Sequence, residues 1–181
     1  FPYVATRLAL KQVYPGRYLP ANLLKRLVTE GVTYSHCVPA IMQMLLTHPG
    51  SEAFDLRNWK VLIGGSAMSP TLAQASLKRG IDVLAGYGMS ETCPVLTIAH
   101  LDSDDFEHPQ DHQVEMRCKT GRPLPLVDLR IVDGNMTDVA HDGNVTGEVV
   151  VRSPWLTQGY LDAEQASEEL WAGGYLHTQD I

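Results

Sequence analysis

AGYGMSETCP, residues 85–94, decides how this chain is read: within five positions it sets an aromatic ring at Tyr87, a hydroxyl at Ser90 and a carboxylate at Glu91. The run Ile81–Ala85 before it is apolar and reads as a buried strand, so the stretch is expected to form the glycine-punctuated turn that closes that strand. Open α/β sheets bind ligands just beyond the carboxyl ends of their strands. At such a place Tyr87 suits a base, Ser90 a phosphate and Glu91 a cation.

Upstream, helical and strand patterns alternate. Leu23, Leu24, Leu27 and Val28 recur at helical spacing after Pro20, with Gly31 as the stop. Residues 32–37 are β-branched and aromatic, as in a strand. Pro39 opens a helix whose stripe is Ile41, Met42, Leu45 and Leu46, and Trp59–Ile63 is a short apolar run closed by Gly64-Gly65. Ser69-Pro70 starts a helix that ends at Gly80. This alternation predicts an α/β fold, a parallel sheet with flanking helices over residues 1–100, with right-handed crossovers bringing strand ends to one edge. Residues 101–119 hold many carboxylates and few apolar anchors and read as an exposed acidic loop. From residue 120 to 181 short apolar runs, separated by the hairpin signal Asp142-Gly143, predict a small antiparallel β-barrel-like subdomain.

Composition narrows the function. With 44% hydrophobic and 19% charged residues the chain is of the folded, globular kind. No stretch approaches the roughly 20 apolar residues of a transmembrane helix. A formal charge of -7 with no basic stripe argues against nucleic acid. Cys37, Cys93 and Cys118 are widely spaced, which supports neither disulfide framework nor zinc ribbon and makes a reducing cytoplasm the expected location.

The ordered set GGSAMSP (64–70), YGMSET (87–92), TGRPLP (120–125), GEVVVRSP (147–154), Gln158-Gly159-Tyr160 and YLHTQDI (175–181) resembles the adenylate-forming superfamily of acyl-CoA synthetases, luciferases and peptide-synthetase adenylation domains. Within it, KQVYPGRYLP (11–20) and VTYSHCVPAIMQMLL (32–46) look most like medium- or long-chain fatty-acid CoA ligases. The resemblance implies that ATP activates a carboxylate as an acyl-adenylate, with Mg²⁺, and that the acyl group then passes to coenzyme A. It implies roles residue by residue. Tyr87 stacks on adenine within the turn Gly86, Tyr87, Gly88, Met89; Ser90 bonds the α-phosphate where the family has threonine; Glu91 ligates the metal. Gly64, Gly65 and Ser66 wall the adenylate, Asp180 holds the ribose, and His36, Val38 and Pro39 line the acyl pocket. The partners implied are small molecules: fatty acid, ATP and coenzyme A.

Two departures stand out. Where the family reads Thr-Gly-Asp, this chain reads Thr178-Gln179-Asp180. If the family's glycine has positive φ, glutamine there costs about 1–2 kcal/mol, enough to tilt Asp180 off the ribose, and whether nucleotide binding weakens is left open by the sequence. The family's phosphate-gripping loop and C-terminal lysine have no counterpart here, so the chain reads as an internal piece, inactive as a ligase by itself. Adenylation of an aryl or amino acid with a carrier-protein acceptor, and a degenerate nucleotide-binding or interaction module, are the alternative readings. Other motifs fail on spacing. His108 and His112 lack the glutamate of a metalloprotease helix, the segment from Asp133 lacks the glycine and glutamate of a calcium loop, and Ser66 lacks the second glycine of a nucleophile elbow.

Overall fold

A computed structural model describes residues 2–181. In chain order the elements are α1 (Pro2–Arg7), α2 (Pro20–Thr29), β1 (Tyr34–Cys37), α3 (Pro39–Thr47), β2 (Lys60–Ile63), α4 (Pro70–Lys78), β3 (Asp82–Gly88), β4 (Val95–Ile98), α5 (Gln110–Cys118), β5 (Arg122–Pro123), β6 (Asp128–Val132), β7 (Glu148–Arg152), α6 (Glu164–Leu170) and β8 (Leu176–His177). They form two compact units, residues 1–85 with 101–118, and residues 86–100 with 119–181. The fold is mixed α/β, as the alternation of patterns predicts.

In the first unit β1, β2 and the Asp82–Ala85 part of β3 are parallel and in register, with Cys37 beside Ile63 and Ile63 beside Ala85. Strands buried on both faces read as continuous apolar runs. Val61 and Ile63 of β2 and Val83 of β3 are fully buried. The flanking helices begin as their sequences dictate. Pro20, Pro39 and Pro70 occupy first-turn positions, where a missing N–H costs nothing. The Ser69 hydroxyl accepts from the Leu72 N–H at 3.2 Å, capping α4. Leu24 and Met42 carry the inward stripes of α2 and α3, whereas Val28 stays 44% exposed.

The acidic segment departs from its reading as a loop. It holds a short 3-10 turn at Asp104–Glu107 and then α5. Two anchors that composition conceals explain this. Val114 is buried, and so is Arg117, whose guanidinium donates to the Asp82 carboxylate and, at 2.9 Å, to the Val83 carbonyl. Lys60 Nζ lies 3.0 Å from the other Asp82 oxygen. Asp105 is also drawn inward, accepting from the Asp102 N–H at 2.8 Å and lying 3.0 Å from His112 Nε2.

The second unit is antiparallel. The end of β3 pairs with β4, Gly86 opposite Ile98 and Tyr87 opposite Thr97, with a register shift between Tyr87 and Gly88. The β4 strand pairs in turn with β5, while β6, β7 and β8 form a separate antiparallel sheet. Among the described residues that three-stranded sheet is open, so the barrel-like expectation is corrected to a small sheet. Its inward face supplies Val151 and Leu176 to a core with Leu96, Leu156 and Leu170, and Tyr87, Trp155 and Trp171 pack on its margin. The hairpin signal at Asp142-Gly143 lies inside a long β6–β7 connection, where Asp142 accepts from the Asn144 and Val145 N–H groups.

Burial works against ionisation of Asp82, but hydrogen bonds from Lys60 and Arg117 outweigh it and hold the carboxyl below its usual range. A depressed folded pKa means stability that is present above the unfolded value of about 4 and lost as pH falls through the folded value. Asp82→Asn is therefore expected to weaken the protein at neutral pH, with the gap to wild type narrowing as the pH falls below about 4. Urea titrations across that range check this, and a gap independent of pH counts against it.

Candidate active site

In the first unit the predicted pocket residues gather where β1 and β2 end. The Gly64 N–H donates to the Cys37 carbonyl at 3.1 Å, tying the glycine turn to β1. Gly65 has φ +81, and a Cβ there would lie 3.2 Å from Val38 Cγ1. Close approach and left-handed backbone together explain why glycine stands there. Val38 immediately precedes α3, is 44% exposed, and is followed by Pro39 at the helix start. His36 and Ser66 are exposed. Burial pushes the Cys37 thiol up to about 11, which disfavours the nucleophilic thiolate.

In the second unit the motif is arranged differently from its reading as a single turn. Strand β3 runs on through Gly86 and Tyr87 to Gly88, because pairing with β4 satisfies the backbone that far. The reversal falls at Met89–Pro94, with a 3-10 turn over Ser90–Thr92 and left-handed backbone at Cys93 (φ +56). Thr92, fully buried, braces it: its hydroxyl accepts from the Met89 N–H at 3.0 Å and donates to the Pro94 carbonyl at 2.7 Å. A Cβ on Gly88 would collide with that same Pro94 carbonyl. Ser90 is thereby exposed at the first position of the turn, followed by Glu91.

Two long-range hydrogen bonds organise this unit. The Tyr87 hydroxyl donates to Asp180 Oδ2 at 2.6 Å. Burial, with the carboxylate that accepts its proton, pushes the Tyr87 phenol up to about 12, so it remains a donor. The Tyr160 hydroxyl donates to Glu91 Oε1 at 2.8 Å, and the Thr157 N–H donates to the Glu91 carbonyl at 2.9 Å. The sequence reading gave Tyr160 no role. Its signal was present in Gln158-Gly159-Tyr160, but the partner lies 69 positions away and only the fold shows it.

Gln179 adopts φ +62, the left-handed backbone that costs a non-glycine residue free energy. It is held by its neighbours. The Gln179 N–H donates to Glu148 Oε1 at 3.0 Å, the Thr178 hydroxyl donates to the Val149 carbonyl at 2.7 Å, and the Val149 N–H donates to the Asp180 carbonyl at 2.9 Å. Asp180, next in the chain, still accepts from the Tyr87 hydroxyl.

Among the described residues no group of three or more His, Cys, Asp or Glu gathers to hold a metal by itself. His108 and His112 instead face Asp104 and Asp105. A single carboxylate at Glu91 fits a magnesium ion that shares substrate phosphates, since such ions commonly take one or two carboxylates plus phosphate oxygens and water. No helix among the described residues is long and apolar enough to cross a membrane.

Residues 1–161 match the family model described as AMP-binding enzyme. The chain belongs to that family. A long-chain-fatty-acid–CoA ligase of Thermus thermophilus is 36% identical over 99% of this chain and 34% of its own length. A 2-succinylbenzoate–CoA ligase of Bacillus cytotoxicus is 31% identical over 91% of this chain and 32% of its own. Among solved structures, the N-terminal domain of FACL13 from Mycobacterium tuberculosis superposes with a TM-score of 0.83 at 22% identity, covering 98% of this chain and 42% of that one. The chain thus spans about a third of the length of the curated relatives it matches.

Two substitutions probe this family site. Gly88→Ala is expected to destabilise by on the order of 3 kcal/mol, because a backbone carbonyl cannot step aside as a side chain can. Gly134→Ala, where a Cβ meets nothing within 4 Å, serves as the near-neutral comparison in the same melting experiment. Gln179→Gly relieves left-handed strain against a smaller gain in unfolded-state freedom and is expected to stabilise by about 0.5–1 kcal/mol. Equal denaturation midpoints for Gln179→Gly and wild type count against the strain.

Proposed function

We propose that this chain carries the adenylate-holding part of an AMP-forming ligase that activates a fatty acid with ATP and delivers it to coenzyme A. The observation that carries the reading is the Tyr87–Asp180 hydrogen bond, because it joins a ring suited to a purine with a carboxylate suited to ribose hydroxyls across 93 positions of chain. A carboxylate is a poor electrophile, so attack on the α-phosphate installs a leaving group before the thiol arrives. Catalysis of such a step is chiefly positioning and charge neutralisation.

Each residue has a part in that scheme. Tyr87 covers adenine beside Gly86, whose missing side chain lets the ligand near the backbone, while Gly88 on its other side gives its space to the Pro94 carbonyl. The exposed Ser90 hydroxyl donates to an α-phosphate oxygen, and Asp180 accepts from ribose. Glu91 holds magnesium, which when bound neutralises phosphate charge. Within the first unit, Gly64, Gly65 and Ser66 offer a side-chain-poor wall suited to a ligand, and His36, Val38 and Pro39 beside them suit the path of an acyl chain.

The acid is the less constrained half of the reading. The fatty-acid assignment leans on the Thermus thermophilus relative and on a medium-chain-fatty-acid–CoA ligase of Ectopseudomonas oleovorans, 29% identical over 99% of this chain. A second reading keeps the chemistry and changes the acid, and relatives named for 2-succinylbenzoate and 3-methylmercaptopropionyl substrates favour it.

Acid-dependent ATP–pyrophosphate exchange by the intact protein, run over fatty, aryl and amino acids, separates these. The expected result is strongest exchange with a fatty acid, lowered about 100-fold or more in Glu91→Gln. Strongest exchange with an aryl or amino acid moves the assignment to the second reading. No exchange with any acid overturns the enzymatic proposal.

A further inference from the structure

We propose that Tyr160 is a positioning residue for the cation site: its hydroxyl holds the Glu91 carboxylate in a fixed orientation. This rests on the reading of Glu91 as the magnesium ligand. Glu91 is gripped at both ends by one short segment. Its carbonyl accepts from the Thr157 N–H at 2.9 Å and its Oε1 accepts from Tyr160 at 2.8 Å. That segment is itself anchored. Trp171 Nε1 donates to the Thr157 carbonyl at 3.1 Å, and the Tyr160 N–H donates to Ser167 Oγ at 2.8 Å.

Gly159 makes the anchoring possible. A Cβ there would lie 2.7 Å from Ser167 Oγ and 2.8 Å from Ser167 Cβ, so any side chain pushes α6 off the Tyr160 backbone. The Gln158-Gly159-Tyr160 string is therefore read as a device: the glycine admits the serine, the serine fixes the main chain, and the ring reaches the glutamate.

The chemistry favours a phenol over a basic residue. A lysine or arginine here would neutralise the charge that attracts a cation, whereas a neutral donor orients one carboxylate oxygen and leaves acceptor capacity on the group. A free glutamate must give up rotamer freedom on binding, and a tethered one has done so already. Outer partners that orient a ligating carboxylate commonly change metal affinity by about 10- to 100-fold when removed. The bond does little for folding, since Tyr160 is 43% exposed and exposed hydrogen bonds exchange readily with water.

Calorimetric titration of the intact protein with ATP, with and without Mg²⁺, tests this in wild type, Tyr160→Phe, Glu91→Gln and the double variant. Tyr160→Phe is expected to reduce the affinity gained from Mg²⁺ about 10-fold. ATP affinity without the metal should be unchanged, the melting temperature close to wild type, and the double variant no worse than Glu91→Gln. Ser167→Ala, which loosens the tyrosine main chain and keeps its hydroxyl, is expected to move the Mg²⁺ dependence in the same direction by less. An unchanged Mg²⁺ gain in both Tyr160→Phe and Ser167→Ala, while Glu91→Gln loses it, overturns the positioning role and leaves the ligand assignment standing. A Glu91→Gln variant that keeps the full Mg²⁺ gain overturns the ligand assignment and this inference with it.

Discussion

The close approach of Gly88 to the Pro94 carbonyl is the constraint on which the second unit depends. Without a side chain at that point β3 can fold back as β4 through a reversal only a few residues long, and the buried Thr92 hydroxyl closes it from inside. The geometry leaves Tyr87 on the strand, Ser90 at the exposed corner and Glu91 just past it. One steric fact thus sets three side chains of different chemistry in a fixed order.

Around that reversal the unit is held by groups that arrive from far along the chain. Tyr87 packs on the Leu96, Val151 and Leu176 core by its ring and reaches Asp180 by its hydroxyl. Glu91 is met by Thr157 and Tyr160. The first unit answers a different problem, how to hold an acidic helix on a parallel sheet. A buried guanidinium does this by bonding both the Asp82 side chain and the Val83 backbone.

Much of this was legible in the residues, and the reasons differ from place to place. Pro20, Pro39 and Pro70 announce helix starts by local geometry, and the apolar runs before Gly64 and Gly86 announce buried strands, so the α/β order could be read directly. The helix at Gln110–Cys118 could not, because its hold depends on Arg117 finding Asp82 some 35 positions earlier. The strand continuing to Gly88 was hidden for a related reason: glycines signal a turn locally, while pairing with Val95–Ile98 is a tertiary matter. Within the candidate site, Tyr87, Glu91 and Asp180 were visible as motif residues. Tyr160 was visible only as a letter in a string, since a hydrogen bond across the fold leaves no periodic trace.

The Tyr87–Asp180 bond has one further consequence. Each group is tied to the other before anything binds, so on the proposed reading a purine nucleoside would meet a stiff surface instead of two swinging side chains. Discrimination among nucleosides at such a surface then comes from shape mismatch against an unyielding template, which penalises a poorly fitting base more heavily than a pliable pocket does.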